Sequence, residues 1–353
     1  MSRVVLCDDA PAALLAHLRE SFPEYAVCVI SDDNVARLHA HTIANAVRGW
    51  HGRTSLLTFP PGEWSKSREQ WAWLSDAMIE AGFGRDTVVV AIGGGVTGDL
   101  AGFVAATYMR GVPVVHVPTS LVAMVDAAIG GKTAIDAPGG KNLIGAFHPP
   151  SAVLIDPAFL LTLSTAQMRE GLVEALKHGA IVDAGYFDWI VAHARALAHA
   201  GVPVSAADAR HLVKRSVDIK TEVVDEDPRE QGRRAILNFG HTVGHAIEQV
   251  SGYTVTHGVA VAHGMIAEAR IGEALGVTDP GTAERIAQAV RALGVDKLPG
   301  LERDAIARAA ATDKKNRAGA VRMTLVRRIG EVARAPDGAW THEVPPESIG
   351  VTA

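Results

Sequence analysis

Two regimes of hydrophobic patterning divide the chain. Up to about residue 155, short apolar runs alternate with helical periodicity and glycine turns, most clearly at 26–30, 87–92 and 114–118. The run at 87–92 is β-branched and does not alternate, which predicts a strand buried on both faces of a parallel sheet. Each run empties into small or polar residues: Ser31-Asp32-Asp33-Asn34, then Gly93-Gly94-Gly95-Val96-Thr97-Gly98-Asp99, then Thr119-Ser120. A doubly wound sheet places its ligand contacts at such carboxyl ends. Gly62-Glu63-Trp64-Ser65-Lys66-Ser67 precedes a helix whose Trp71, Trp73, Leu74, Met78 and Ile79 read as core. From about residue 156 the pattern is helical to the end, with a strand-like stretch only at 321–326. The expected fold class is therefore α/β plus all-α, a nucleotide-binding α/β domain over 1–155 and a helical domain over 156–353.

The helical half concentrates charge where apolar neighbours leave little room for it. Ser164 with Gln167 three later forms a capping box. The helix that it starts carries Glu170, Glu174 and Lys177 on one face among Leu172, Val173, Ala175 and Leu176, so this trio reads as part of a site. A charged helix follows with Lys214, Arg215, Asp218, Lys220 and Glu222, and Glu230, Arg233 and Arg234 stand close behind. Next, the stretch 238–248 predicts a short helix with Asn238 as its N-cap and Gly252 just past its end. His241 and His245 fall one turn apart on one face, a spacing that suits a divalent metal and leaves open whether both, one or neither binds. Gly240 and Gly244 flank His241 at about 1 kcal/mol each, a cost that implies close approach of a ligand or a second helix. His257 opens the next helix, and His263 lies six residues on.

Composition narrows the chemistry. A chain of 353 residues, 48% hydrophobic and 21% charged, suits a globular protein of two domains. A net charge of −5 argues against a general nucleic-acid surface. No apolar run is long enough to span a bilayer or to act as a leader, and Cys7 and Cys28 lack metal-ligand spacing and read as buried thiols. These features imply a cytoplasmic protein with neither membrane nor nucleic acid as partner. Gly130-Gly131-Lys132-Thr133 lacks the Walker spacing, which excludes a P-loop ATPase. The triple glycine before a helix start can place backbone N–H groups against a pyrophosphate. Lys132, Lys141, Lys177, Lys220, Arg110 and Arg234 exceed what a metal site needs and fit an anionic substrate bearing phosphate and carboxylate. Together these groups suggest hydride transfer at a hydroxyl, without naming the substrate.

The segments 93–103, 126–133, 140–145 and 238–248, in this order, resemble the 3-dehydroquinate synthase family of sugar phosphate cyclases. The resemblance runs from about Asp32 to Arg327. It implies a Rossmann-like NAD domain and a helical metal-binding domain, with the active site in the cleft between them. The implied cofactors are NAD and one divalent metal, zinc or cobalt. The implied reaction turns 3-deoxy-D-arabino-heptulosonate 7-phosphate into 3-dehydroquinate and phosphate. It proceeds by transient oxidation with NAD, phosphate elimination, re-reduction, ring opening and intramolecular aldol closure.

Carried over by position, the metal ligands are Glu174, His241 and His257, and His245 faces the substrate phosphate instead. Lys132, Asn142, Asn238, His245 and one of Lys314 and Lys315 hold that phosphate. Arg110 reaches it from the neighbouring subunit of a homodimer. Lys220 and Arg234 meet the carboxylate, Asp126 and Lys177 the ring hydroxyls, and Glu230 the hydroxyl to be oxidised. Asp32, Asn34, Glu63, Lys66, Gly94, Gly95, Val96, Asp99, Thr119, Ser120, Lys141, Phe159 and Thr162 line NAD. Departures are mild: Ser120 stands where threonine is commoner, His148 replaces an aromatic, and residues 136–138 form a variable loop. Rival cyclases making an amino-dehydroquinate or a valiolone share most motifs. Lys220 and Arg234 favour a carboxylated substrate, because an unpaired buried cation is costly.

Overall fold

A computed structural model describes residues 2–48, 50, 53–198, 204–311, 321–345 and 348–349. Lys314 and Lys315 lie outside the described residues. The chain divides into two compact units, Met1–Leu163 with Ala206–Val217, and Ser164–Ser205 with Asp218–Ala353.

The first unit is built on eight strands: β1 (Arg3–Leu6), β2 (Ala26–Asp32), β3 (Thr54–Phe59), β4 (Thr87–Gly93), β5 (Val114–Pro118), β6 (Lys132–Ala137), β7 (Gly140–Phe147) and β8 (Ala152–Ile155). Six of them form one parallel sheet in the order β1-β8-β5-β4-β2-β3. Every residue of β4 and β5 is buried, as their unbroken apolar runs require. The chain passes outward from β2 to β3 and then returns to the other side of β2 as β4, so the topological switch lies between β2 and β4. Their register pairs Ser31 with Ile92, which sets Asp32 beside Gly93. The glycine helix, Gly95–Thr107, leaves β4 directly. The antiparallel hairpin β6–β7 covers it, and a Cβ at Gly102 would press on Thr133.

The helix expected to bury Trp71, Trp73, Leu74, Met78 and Ile79 buries two of them. In the helix Arg68–Glu80 only Leu74 and Met78 are buried, while Trp73 and Ile79 are 49% and 57% exposed. The helix shows the sheet a stripe too narrow for all five large side chains.

The second unit is helical, with two small antiparallel ribbons near its end pairing Val326–Arg328 with Glu331–Val332 and Val321–Met323 with His342–Val344. Its centre is three helices: a glutamate helix (Thr165–Val182), a histidine helix (His241–Val250) and a partner helix (His257–Ala274). The capping box of Ser164 and Gln167 is present at the start of the first. The histidine helix does not begin at Asn238. Its N-cap is Gly240, in the left-handed region at φ 82, and Asn238 ends a preceding 3-10 turn. A glycine is required there both for that φ and because Met265 and the Val261 carbonyl crowd its Cα. Gly244 packs on Ala260 and Val261, and a Cβ at Gly264 would overlap the Gly240 carbonyl oxygen. The flanking glycines thus serve the close crossing of two helices.

Candidate functional site

Around Glu174 the second unit brings three separated residues together. Glu174 is fully buried, and its Oε2 accepts a hydrogen bond from Lys177 Nζ at 2.5 Å. Its Oε1 is buried without a well-formed hydrogen bond, yet faces His257 Nε2 at 3.4 Å and His241 Nε2 at 3.7 Å. A buried carboxylate oxygen left unsatisfied between two imidazole nitrogens is costly unless something fills the gap. One glutamate and two histidines are a donor set for zinc-like ions that leaves a position open, so these residues fit a divalent metal. Burial works against charge on Glu174, but Lys177, His241 and His257 hold its carboxyl well below the ordinary range. Burial and then Lys177 push His241 down, which keeps that imidazole neutral and able to donate its lone pair. Burial also opposes charge on His257, but Glu174 and Glu248 raise it to about 10.

The sequence spacing was an incomplete guide to this trio. His245 stays outside it: the side chain is exposed, with its ring 5.4 Å from that of His241. Carboxylates brace the helices that carry the histidines. Glu268, fully buried, accepts from Gly240 N at 2.6 Å and Val243 N at 3.0 Å, supplying the cap that Gly240 cannot. Glu170 accepts from Gly258 N at 2.8 Å and from Thr256 Oγ1, capping the partner helix. Glu248 Oε2 lies 3.2 Å from His257 Nδ1.

The loop before the histidine helix is wound on another carboxylate. Asp227 accepts from Gln231 N, Gly232 N and Arg234 N at 2.9, 2.7 and 3.0 Å. Burial opposes its charge, but these N–H groups hold its carboxyl below the usual range. Within that loop Glu230 adopts φ 56 and accepts from Asn238 Nδ2 at 2.6 Å. Arg234 is buried and donates to the Pro228 carbonyl at 2.7 Å, and Lys220 is buried as well.

In the first unit Asp32, Gly94, Gly95 and Val96, all expected to line NAD, lie at the carboxyl ends of β2 and β4. Asp32 caps the segment after β2, accepting from Asn34 N and Val35 N at 3.0 Å each, and Thr97 Oγ1 donates to its other oxygen at 3.3 Å. Gly94 caps the glycine helix without a side chain, and Gly95 and Val96 open it. A Cβ at Gly93 would overlap Thr97, whereas those at Gly94 and Gly95 would meet only Ser120 at 3.3 Å and Ala127 at 3.4 Å. Gly93 is thus a packing glycine, and the next two leave room for a ligand. Lys66 is buried among Asp99 at 2.8 Å, Glu63 at 3.4 Å and Asp136 at 3.9 Å. Burial works against its charge, but the three carboxylates hold it above the ordinary lysine value. The Phe159 ring stacks at a tilt on His39, 4.6 Å away, and His39 Nε2 lies 2.9 Å from Thr162 Oγ1. Thr119 is buried at the end of β5 and Ser120 follows it, while Lys141 sits on β7. Lys132 opens β6, Asn142 adopts φ 56 on β7, and Asp126 lies in the turn before the hairpin. Arg110 is exposed, in a left-handed turn with Met109 and Gly111 at φ 50, 71 and 117 for residues 109, 110 and 111.

Fold and site together define a class of enzyme that joins a nucleotide-binding parallel sheet to a helical unit equipped for a metal. Residues 56–170 match the family model for the 3-dehydroquinate synthase N-terminal domain, and residues 171–316 match that for the C-terminal domain. The chain belongs to the 3-dehydroquinate synthase family. It is 44% identical to the 3-dehydroquinate synthase of Xanthomonas campestris pv. campestris (strain 8004), over 88% of this chain and 86% of that one. It is 42% identical to the enzyme of Pelobacter propionicus, over 86% and 84%. Among solved structures, a 2-deoxy-scyllo-inosose synthase complexed with carbaglucose-6-phosphate, NAD+ and Co2+ superposes with a TM-score of 0.89 at 25% identity, over 99% of this chain and 95% of that one. A 2-epi-5-epi-valiolone synthase from Streptomyces hygroscopicus with NAD+ and Zn2+ bound gives 0.87 at 28% identity, over 100% and 95%.

Two bracing carboxylates, Glu268 and Asp227, belong to no motif in the sequence. Glu268 left a signal, a single carboxylate inside the apolar run 264–269, where a buried charge needs a partner. Asp227 left none, because an aspartate in a charged loop looks like solvated surface.

Proposed function

We propose that this chain is a 3-dehydroquinate synthase, converting 3-deoxy-D-arabino-heptulosonate 7-phosphate into 3-dehydroquinate and phosphate. The observation that carries the reading is the convergence of Glu174, His241 and His257 on one unsatisfied buried oxygen, with Lys177 on the other. Those three residues would hold a divalent cation, zinc or cobalt, which supplies Lewis acidity toward a substrate hydroxyl. Asp32, Gly94 and Gly95 of the first unit would help to hold NAD, which would supply reversible hydride transfer.

The chain's own side chains orient the substrate and handle protons. Lys177 neutralises Glu174 and presents a cation to the ring hydroxyls, with Asp126 assigned to the same group. Glu230, held by Asn238 in a conformation that few non-glycine residues adopt, presents its carboxylate near the hydroxyl to be oxidised. Lys220 and Arg234 take the carboxylate of the substrate, and this favours a carboxylated sugar phosphate over the substrates of the valiolone and inosose cyclases. Lys132, Asn142, Asn238, His245 and one of Lys314 and Lys315 are assigned to the phosphate, which acts as its own base during elimination. Arg110, exposed in its left-handed turn, is assigned to the phosphate of the neighbouring subunit in a homodimer. We divide the chain functionally at 155/156. No helix among the described residues is long and apolar enough to cross a membrane. Cys7 and Cys28 are free thiols, which suits a reducing cytoplasm.

The test supplies the purified protein with NAD and zinc or cobalt, then offers the C7 deoxy-heptulosonate phosphate and, separately, sedoheptulose 7-phosphate. Phosphate release from the first substrate is expected, and release from the second alone overturns the assignment.

A further inference from the structure

His257 lies between two carboxylates. Its Nε2 is 3.4 Å from Glu174 Oε1 and its Nδ1 is 3.2 Å from Glu248 Oε2. His241 is arranged in the same way, with Nε2 toward Glu174 Oε1 and Nδ1 3.2 Å from the Phe239 carbonyl oxygen. Both rings therefore turn one nitrogen to the same unsatisfied oxygen and the other to a fixed acceptor. An imidazole that binds a metal through one nitrogen carries its proton on the other, so an acceptor at Nδ1 leaves Nε2 as the donor to a metal. The acceptors differ in strength. The His241 side chain is only 11% exposed and needs no more than a backbone carbonyl. His257, the first residue of its helix and 35% exposed, has the weaker packing and receives a full carboxylate. Glu248 is itself 3% exposed, seven residues after His241 and hence two turns along the same helix face.

A competing arrangement exists in the same place. His245, Glu248 and His257 also come within metal-ligand reach of one another. The two trios share His257, and one neutral ring cannot give a lone pair to both. Glu248 Oε2 already has its hydrogen-bond partner, whereas Glu174 Oε1 is buried with none. The unmet need therefore lies on the Glu174 side.

We propose that Glu248 is a positioning residue for the metal site: it accepts the Nδ1 proton of His257, fixes the tautomer and aims Nε2 at the ion. This rests on the reading of Glu174, His241 and His257 as the ligands. The experiment strips metal from wild type, Glu248→Gln, Glu248→Ala and His257→Ala. It then measures Co2+ per chain, Co2+ affinity by chelator competition, and the visible absorption of the Co2+ form. One ion per chain is expected in wild type. Glu248→Ala should weaken affinity about 10–100-fold and alter the Co2+ spectrum, with a smaller loss in Glu248→Gln, whose amide oxygen still accepts the proton. Cooperative thermal unfolding of metal-free Glu248→Gln should show that this variant folds. Should the alanine variant fail to fold, this near-isosteric variant carries the test. Unchanged affinity in both Glu248 variants, with metal lost from His257→Ala, overturns this inference alone. Metal retained by His257→Ala overturns the ligand reading beneath it. Two ions per wild-type chain, falling to one in Glu248→Gln, would make Glu248 a ligand and overturn the positioning role.

Discussion

At the carboxyl end of β4 the candidate nucleotide site turns on the backbone of Gly94 and Gly95, whereas around Glu174 the candidate metal site is made of side chains. The first needs space, which Gly94 and Gly95 leave, while Gly93 packs against Thr97. The second needs donor atoms fixed to a fraction of an ångström, and long side chains do not stay fixed unaided. Its helices are therefore tied by further carboxylates, Glu268 and Glu170 on N–H groups and Glu248 on an imidazole. A backbone site is vulnerable to an added side chain. A side-chain site is vulnerable to the loss of one.

The largest effect should come from separating the two histidines that share a helix face. His241→Ala removes a ligand, and with it several kcal/mol of transition-state stabilisation, or about a thousandfold in turnover. His245→Ala should retain one metal per chain and lose only a charge-assisted contact to phosphate, about 10–100-fold. Metal content and turnover measured together decide the matter. Equal metal loss in both variants would show that the site recruits His245 and that the pairing suggested by spacing is correct.

The backbone site is probed by Gly94→Val. The new side chain meets Ser120 at its Cβ and otherwise fills the space reserved for a ligand, so the fold should tolerate it. NAD affinity is expected to fall about 10–100-fold, the worth of one or two lost charge-assisted hydrogen bonds, while metal content stays at one per chain. Fluorescence titration with NADH and metal analysis on the same sample check this. Loss of metal together with NAD affinity would show that the two sites are not separable in the way their construction implies.

The two sites were unequally legible in the sequence, for the same reason. A backbone site announces itself through residues that lack side chains, and Gly93-Gly94-Gly95 after a β-branched run points to the end of β4 without further help. The parallel sheet and its carboxyl-end turns follow from the same local pattern. A side-chain site is assembled from afar: Glu174, His241 and His257 lie on three helices, and periodicity reports only the pair within one helix. Spacing therefore offers His241 with His245, the residue types add Glu174 and His257 as candidates, and only the order of motifs along the whole chain implies Glu174, His241 and His257 as the set. The helix is not capped by Asn238 because the capping carboxylate, Glu268, arrives from another helix, and local sequence carries no record of where it comes from. Glycine around His241 did predict that crossing, since only a close backbone approach repays its helical cost.

The smallest effect distinguishes the titratable histidines of the metal site from one that stands apart. His178 lies one turn beyond Glu174 on the glutamate helix, fully buried, with neither ring nitrogen hydrogen-bonded among the described residues. Burial, and then the nearby Lys177, lowers it from 6.5 to about 3. The unfolded chain therefore takes up a proton first as pH falls, and the folded protein resists it. Stability is full above about pH 6.5 and declines as pH drops toward 3, at up to about 1.4 kcal/mol per pH unit from this one group. His178→Leu removes that dependence and fills the same space with apolar atoms. Both proteins keep the ligand histidines, so the difference between the two stability curves reports on His178. Urea unfolding of the metal-free proteins between pH 7 and pH 4.5 should give the variant the shallower decline, with the gap widening as pH falls. Parallel curves would mean that the folded state admits the proton, and that the ring has access to water or to a partner when the helix breathes.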